Sequence, residues 1–121
     1  MSKRILVVED EEDNRKIVRD LLTNAGFEMI EAEDGEKGVA AALRERPDLI
    51  LMDMQLPVLD GYEATRRIKA RPELKSVPII AVTSYALRGD ENKAIVAGCD
   101  GYVPKPFSPR ALLAKIKELL P

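Results

Sequence analysis

Asp48-Leu49-Ile50-Leu51-Met52-Asp53 is the stretch that decides the fold. Four apolar residues run without interruption between two acids. A half-buried strand would alternate polar and apolar side chains, so an unbroken run this short reads as a strand covered on both faces, as in a parallel sheet. Upstream, Ile5-Leu6-Val7-Val8 has the same character, and Phe27 to Ala32 is a weaker version of it. Downstream, Pro78 opens the run Ile79-Ile80-Ala81-Val82, which Thr83 closes, and Gly101 to Pro104 supplies a fifth strand.

Helical patterns fill the intervals. Ile17, Val18, Leu21, Leu22 and Ala25 repeat at the spacing of one helix face, and Gly26 stands where a C-terminal glycine is expected. Asp13 is placed to cap this helix, with Glu11 and Glu12 on the surface. Asp34-Gly35 turns into a second helix that buries Val39, Ala42 and Leu43 and stops at Pro47. Tyr62 to Ala70 forms a third, with Ile68 inward, after the loop Gln55 to Gly61. Asp90 to Ala97 forms a fourth, the least apolar. Ser108 caps a fifth, with Pro109 in its first position and Leu112, Leu113, Ile116, Leu119 and Leu120 as its buried stripe. Strands alternating with helices imply an α/β fold with right-handed crossovers and helices on both faces of a parallel sheet. For five strands the flavodoxin-like order 2-1-3-4-5 is expected.

Composition narrows the function classes. The chain has 121 residues, 45% hydrophobic and 33% charged, which fits one globular domain. Net charge is −2 and basic residues are scattered, so no direct nucleic-acid partner is expected. Aromatics are only 4%, too few for base-stacking platforms. No apolar run approaches the roughly 20 residues that cross a bilayer, so no membrane role is expected. With no histidine and one cysteine, a zinc site of the usual kind is not expected, and Cys99 reads as a small packed residue in a reducing compartment. Met52 and Met54 read as packing.

In an open parallel sheet, ligands bind beyond the carboxyl ends of the strands. Glu9 and Asp10 close the first run, Asp53 the third and Thr83 the fourth, while Lys105 follows the fifth. The expected order sets the first and third strands side by side, which brings three carboxylates to one rim beside one ammonium. That set suits a divalent cation and a phosphoryl group. Mg2+ takes oxygen ligands and needs only one or two carboxylates besides water and phosphate. Each residue has a plainer reading alone: a solvated charge run for Glu9 and Asp10, a strand threonine for Thr83, a surface lysine for Lys105. An acid at the mouth of a buried apolar strand is costly without partners, however, and Asp53 makes the joint placement informative.

The spacing Glu9-Asp10, Asp53, Thr83, Lys105-Pro106 resembles the receiver domain of two-component response regulators, over essentially the whole chain. The segments Leu51 to Pro57 and Tyr102 to Pro106 carry the resemblance most specifically. Within the family the chain is similar to stand-alone regulators of the DivK and, more distantly, CheY type. The features shared with DivK are Glu9-Asp10 in place of two aspartates, Met52 to Pro57, and Gly89-Asp90-Glu91. The resemblance implies a single receiver domain over residues 1–121 with no output domain. It implies that Asp53 accepts a phosphoryl group from a phosphohistidine on a histidine kinase or histidine phosphotransfer protein. Asp10, Asp53 and the backbone carbonyl of Gln55 would hold Mg2+, Glu9 acting mostly through water. Thr83 and Lys105 would bind phosphoryl oxygens, and Thr83 and Tyr102 would form the switch, with small Ser84 leaving room for the ring. Lys105-Pro106 would be a cis peptide, and Gln55 and Tyr85 would flank the acceptor. The output would be binding of a downstream target protein by the face of helix 4, strand 5 and helix 5, in a cytoplasmic monomer or weak phosphorylation-dependent dimer. Such a domain is a signalling module rather than an enzyme.

Two rival readings stand beside this one. A phosphohydrolase with an aspartate nucleophile wants a second acid two residues on, where this chain has Gln55. A phosphorylation-independent binding module would keep the fold and bind metal poorly. A nucleotide site of the Walker type is excluded, because no Gly-rich loop ends in Gly-Lys-Ser/Thr.

Overall fold

The computed structural model describes residues 2–83, 90–105 and 108–120, the side chains of 90 and 91 excepted. Ser84, Tyr85, Gly89 and Pro106 therefore lie outside the described residues. The order is β1 (Arg4–Val8), α1 (Glu12–Asn24), β2 (Glu28–Ala32), α2 (Gly35–Glu45), β3 (Leu49–Asp53), α3 (Gly61–Lys69), a 3-10 turn (Pro72–Leu74), β4 (Ile79–Thr83), α4 (Asp90–Ala97), β5 (Gly101–Pro104) and α5 (Pro109–Leu119). Every pairing is parallel and the sheet runs β2-β1-β3-β4-β5, the expected order.

Strand periodicity divides the core in two. Leu6, Val8, Ile50, Met52, Ile79 and Ala81 face α2, α3 and α4, where Ala42, Ala64, Ile68 and Ala94 close the packing. Ile5, Val7, Leu49, Leu51, Ile80 and Val82 face α1 and α5, against Val18, Leu22, Leu112 and Ile116. All five residues of β3 are buried, as a central strand covered on both sides requires.

Local sequence sets most helix ends. Asp34, Asp60 and Ser108 each accept a backbone N–H from the first turn of α2, α3 and α5, and Pro109 follows Ser108. Such caps each contribute about 1 kcal/mol. Gly26 has φ 89° just past the end of α1, where a Cβ would be strained. At the start of α1 the expectation fails. Glu11 holds the cap position without a side-chain bond, and Asp13 lies inside the first turn. There its charge complements the helix dipole instead of capping. Ile17 and Ala25 also depart from expectation, Ile17 being 56% exposed. Val18 and Leu22, one turn apart, are the residues of α1 buried against the sheet, so Ile17 falls on the flank.

Candidate functional site

Because the strands are parallel, their carboxyl ends share one rim. Val8 pairs with Met52, Asp53 with Val82 and Thr83 with Pro104. One step past these pairs, Glu9 and Lys105 join Asp53 and Thr83 at the same edge. Glu9, Asp53 and Thr83 are all buried. The Lys105 ammonium donates to Glu9 Oε1 at 2.8 Å and to Asp53 Oδ2 at 2.9 Å. With the acid side chains only 7% and 4% exposed, this is a nearly dry triad in which one cation offsets two anions.

The second oxygen of each acid is also engaged. Asp53 Oδ1 accepts the Gln55 backbone N–H at 2.9 Å, and Glu9 Oε2 accepts the Glu11 backbone N–H at 3.1 Å. The Gln55 side-chain amide donates to Thr83 Oγ1 at 2.8 Å. Lys105 N–H donates to the Thr83 carbonyl at 2.6 Å, which fixes the exit of β5 against β4. Among the described residues, no buried side-chain nitrogen or oxygen lacks a hydrogen-bond partner.

Charge imbalance shows at the two ends of the cluster. Burial disfavours the Lys105 ammonium, but its hydrogen bonds to Glu9 and Asp53 outweigh that and raise its pKa above the ordinary value. The Asp10 carboxyl is also raised. Desolvation is the largest cause, followed by the hydrogen bond to Glu9, with the Glu9 charge adding to it and Lys105 opposing. One carboxylate oxygen each from Glu9, Asp10 and Asp53 lie within 4.8 Å of one another. Hard oxygen donors clustered with an excess of negative charge fit Mg2+.

The structure thus brings together Glu9, Asp10, Asp53, Gln55, Thr83 and Lys105. Tyr102 is half-buried against the α2–α4 side of the core and pairs with Ala81. Cys99 sits near the Thr65 hydroxyl with its pKa pushed up by burial to about 11, as a packed thiol should be.

Two contributors have no counterpart among the residues that the sequence singles out. Gly61 begins α3 close against Asp53, and a Cβ there would stand 2.2 Å from the Asp53 carbonyl oxygen. The dipeptide Asp60-Gly61 signals a turn, but not this close approach. Arg15 donates from Nη1 to the Glu9 backbone carbonyl at 2.7 Å, a contact with no sequence signature.

A family model for the response regulator receiver domain matches residues 5–117. The polar-differentiation response regulator DivK of Brucella anthropi is 42% identical over 120 residues, covering 99% of this chain and 98% of that protein. The receiver domain of a sensor histidine kinase from Pseudomonas aeruginosa PAO1, solved with a magnesium ion coordinated in its active-site cleft, superposes with a TM-score of 0.93 at 40% identity, covering 99% and 98% of the two chains. Chemotaxis response regulator CheY4 of Vibrio cholerae gives a TM-score of 0.93 at 28% identity, covering 98% and 99%.

Proposed function

The chain belongs to the response regulator receiver family of two-component systems, and on that premise we propose that Asp53 accepts a phosphoryl group from a phosphohistidine of a histidine kinase or histidine phosphotransfer protein. The observation that carries this is the Lys105 ammonium 2.9 Å from Asp53 Oδ2, beside the Asp10 carboxylate at an otherwise buried strand end. An Asp53 oxygen attacks phosphorus as the P–N bond breaks, and the imidazole leaves as the neutral ring because its other nitrogen has taken a proton from solvent. Asp10, Asp53 and the Gln55 carbonyl would hold Mg2+, with Glu9 contributing through water. When bound, the ion would offset the carboxylate charge and supply Lewis-acid stabilisation for a phosphoryl oxygen. Lys105 remains as a compact cation for one phosphoryl oxygen, and the Thr83 hydroxyl donates to another.

The output is a population shift. Phosphorylation adds roughly −1.5 to −2 charges and new acceptor oxygens. Thr83 moves toward them, its bond from Gln55 is exchanged, and the half-buried Tyr102 ring takes the space Thr83 leaves. The face of α4, β5 and α5 then binds a downstream target protein. Moving a population from 1:99 to 99:1 takes about 5.5 kcal/mol, which the phosphoryl site shares with the target. We place the domain as a cytoplasmic monomer or weak phosphorylation-dependent dimer. No described helix is long and apolar enough to cross a membrane. A phosphohydrolase role is disfavoured, since the residue two past Asp53 is an amide bonded to Thr83 rather than a proton-transferring acid.

Incubation of the wild type and Asp53→Asn with radiolabelled phosphohistidine kinase tests the assignment. Label is expected on the wild type only; equal label on Asp53→Asn would refute Asp53 as the acceptor.

A further inference from the structure

Asp10 is the exposed member of the carboxylate cluster, whereas Glu9 and Asp53 are held by burial and by Lys105. Its position relative to Asp53 therefore depends on the backbone that leads into it. That backbone is gripped on both sides of Glu9. The Glu9 N–H donates to the Ala32 carbonyl of β2 at 3.0 Å, and the Glu9 carbonyl accepts from Arg15 Nη1 at 2.7 Å. The carbonyl belongs to the planar peptide unit that joins Glu9 to Asp10, so fixing it fixes the plane from which Asp10 departs.

Arg15 is suited to this by its own anchoring. Its side chain is only 12% exposed, although it sits in the second turn of a surface helix. Nη2 bonds the Glu12 carboxylate, and Nε lies 3.3 Å from Glu31 Oε1 on β2. Glu31 is itself held by two bonds from Arg19, at 2.9 and 2.6 Å. The guanidinium thus spans α1, β2 and the turn after β1, with a separate nitrogen for each. A lysine ammonium could reach the carbonyl but could not reproduce that planar fork.

We propose that Arg15 is a positioning residue for the metal pocket: its guanidinium locks the Glu9–Asp10 peptide and so sets where the Asp10 carboxylate meets Asp53. This rests on the Mg2+ reading of the site given above. Outer groups that orient metal ligands commonly matter about 10- to 100-fold in affinity. A bond one peptide removed from the ligand belongs at the low end of that range.

The test is calorimetric titration of the full chain with MgCl2 alone, beside urea melts in metal-free buffer. Arg15→Met is expected to bind Mg2+ about tenfold more weakly than the wild type, and Arg15→Lys to recover part of the loss. Asp34→Ala, which removes only the cap of α2, should lower stability and leave the Mg2+ affinity unmoved, separating positioning from general loosening. Wild-type binding with equal affinity in Arg15→Met overturns the assignment of Arg15 alone. If Arg15→Met does not fold, Arg15→Lys decides: an affinity equal to the wild type overturns the proposal, and a several-fold loss supports it. A wild type that takes up no Mg2+ at millimolar concentration overturns the metal reading, and the role of Arg15 falls with it.

Discussion

Val58 carries the least comfortable backbone near the site. Its φ is 69°, and the Leu59 N–H donates across it to the Pro57 carbonyl at 2.7 Å, a three-residue turn of the strained positive-φ kind. A β-branched residue pays roughly 1–2 kcal/mol for such a φ, and at 74% exposure Val58 recovers little by packing. The tight turn positions the start of α3, since Gly61 must pass close beneath Asp53 and its N–H reaches the Met54 carbonyl at 3.2 Å. Val58→Gly removes the strain but adds freedom to the unfolded chain worth about 0.5–1 kcal/mol. A net gain of up to about 1 kcal/mol is expected in urea unfolding, and a net loss would show that the valine conformation is not costly. Nothing in Leu56-Pro57-Val58-Leu59 announces this geometry, because valine is among the residues least expected at positive φ.

At the scale of elements, the edge of the sheet opposite the site has its own clamp. Lys69 near the end of α3 donates to the Val77 carbonyl at 2.7 Å, the Lys75 carbonyl at 3.2 Å and Asp100 Oδ2 at 2.9 Å. Asp100 also accepts the Ile79 N–H at 2.9 Å. One ammonium therefore ties α3 to the entrances of β4 and β5. Lys69→Met keeps the apolar stem and loses all three bonds, so a destabilisation of about 2 kcal/mol is expected in urea melts. Mg2+ affinity should not change, since the clamp lies at the far end of the strands; a large loss of affinity would mean that the two ends are coupled. The contrast with the site marks what the sequence could convey. The apolar run of β3, the cap Ser108, the turn at Asp34-Gly35 and the acids closing β1 and β3 are local patterns, and each was legible. So was the convergence of Glu9, Asp10, Asp53, Thr83 and Lys105, because strand order and a parallel sheet place all strand ends together. The Lys69–Asp100 pair joins residues 31 apart, and Arg15 reaches a backbone carbonyl; neither leaves a periodic or compositional trace. Ile17 has the spacing of a core residue, and only the narrow contact of α1 with the sheet reveals it as exposed.

For the molecule as a whole, the acidic rim sets stability against the proposed Mg2+ binding. A net charge of −2 is small, but it is unevenly held, with three carboxylates facing one ammonium at the strand ends. The raised pKa of Asp10 means that the folded chain resists its ionisation. Below the ordinary value of 3.8 the carboxyl is protonated in both folded and unfolded chains, and Asp10 costs nothing. As pH rises from there through the raised folded value, the unfolded chain releases its proton first, and the native state loses stability relative to it. Asp10→Asn has no such titration. In metal-free buffer at neutral pH it should therefore withstand more urea than the wild type, and the difference should close as pH falls toward 3.8. Mg2+ should reverse the order at neutral pH, because a ligand that binds only the folded chain stabilises by RT ln(1 + [L]/Kd), and the Asn variant forfeits most of that affinity. Urea melts of both proteins with and without MgCl2 check both arms. An Asp10→Asn variant less stable than the wild type without metal would show that the carboxylate is satisfied in the fold and that the rim is not charge-strained. The same stability gain without its reversal by Mg2+ would confine Asp10 to electrostatics and take it out of the metal site.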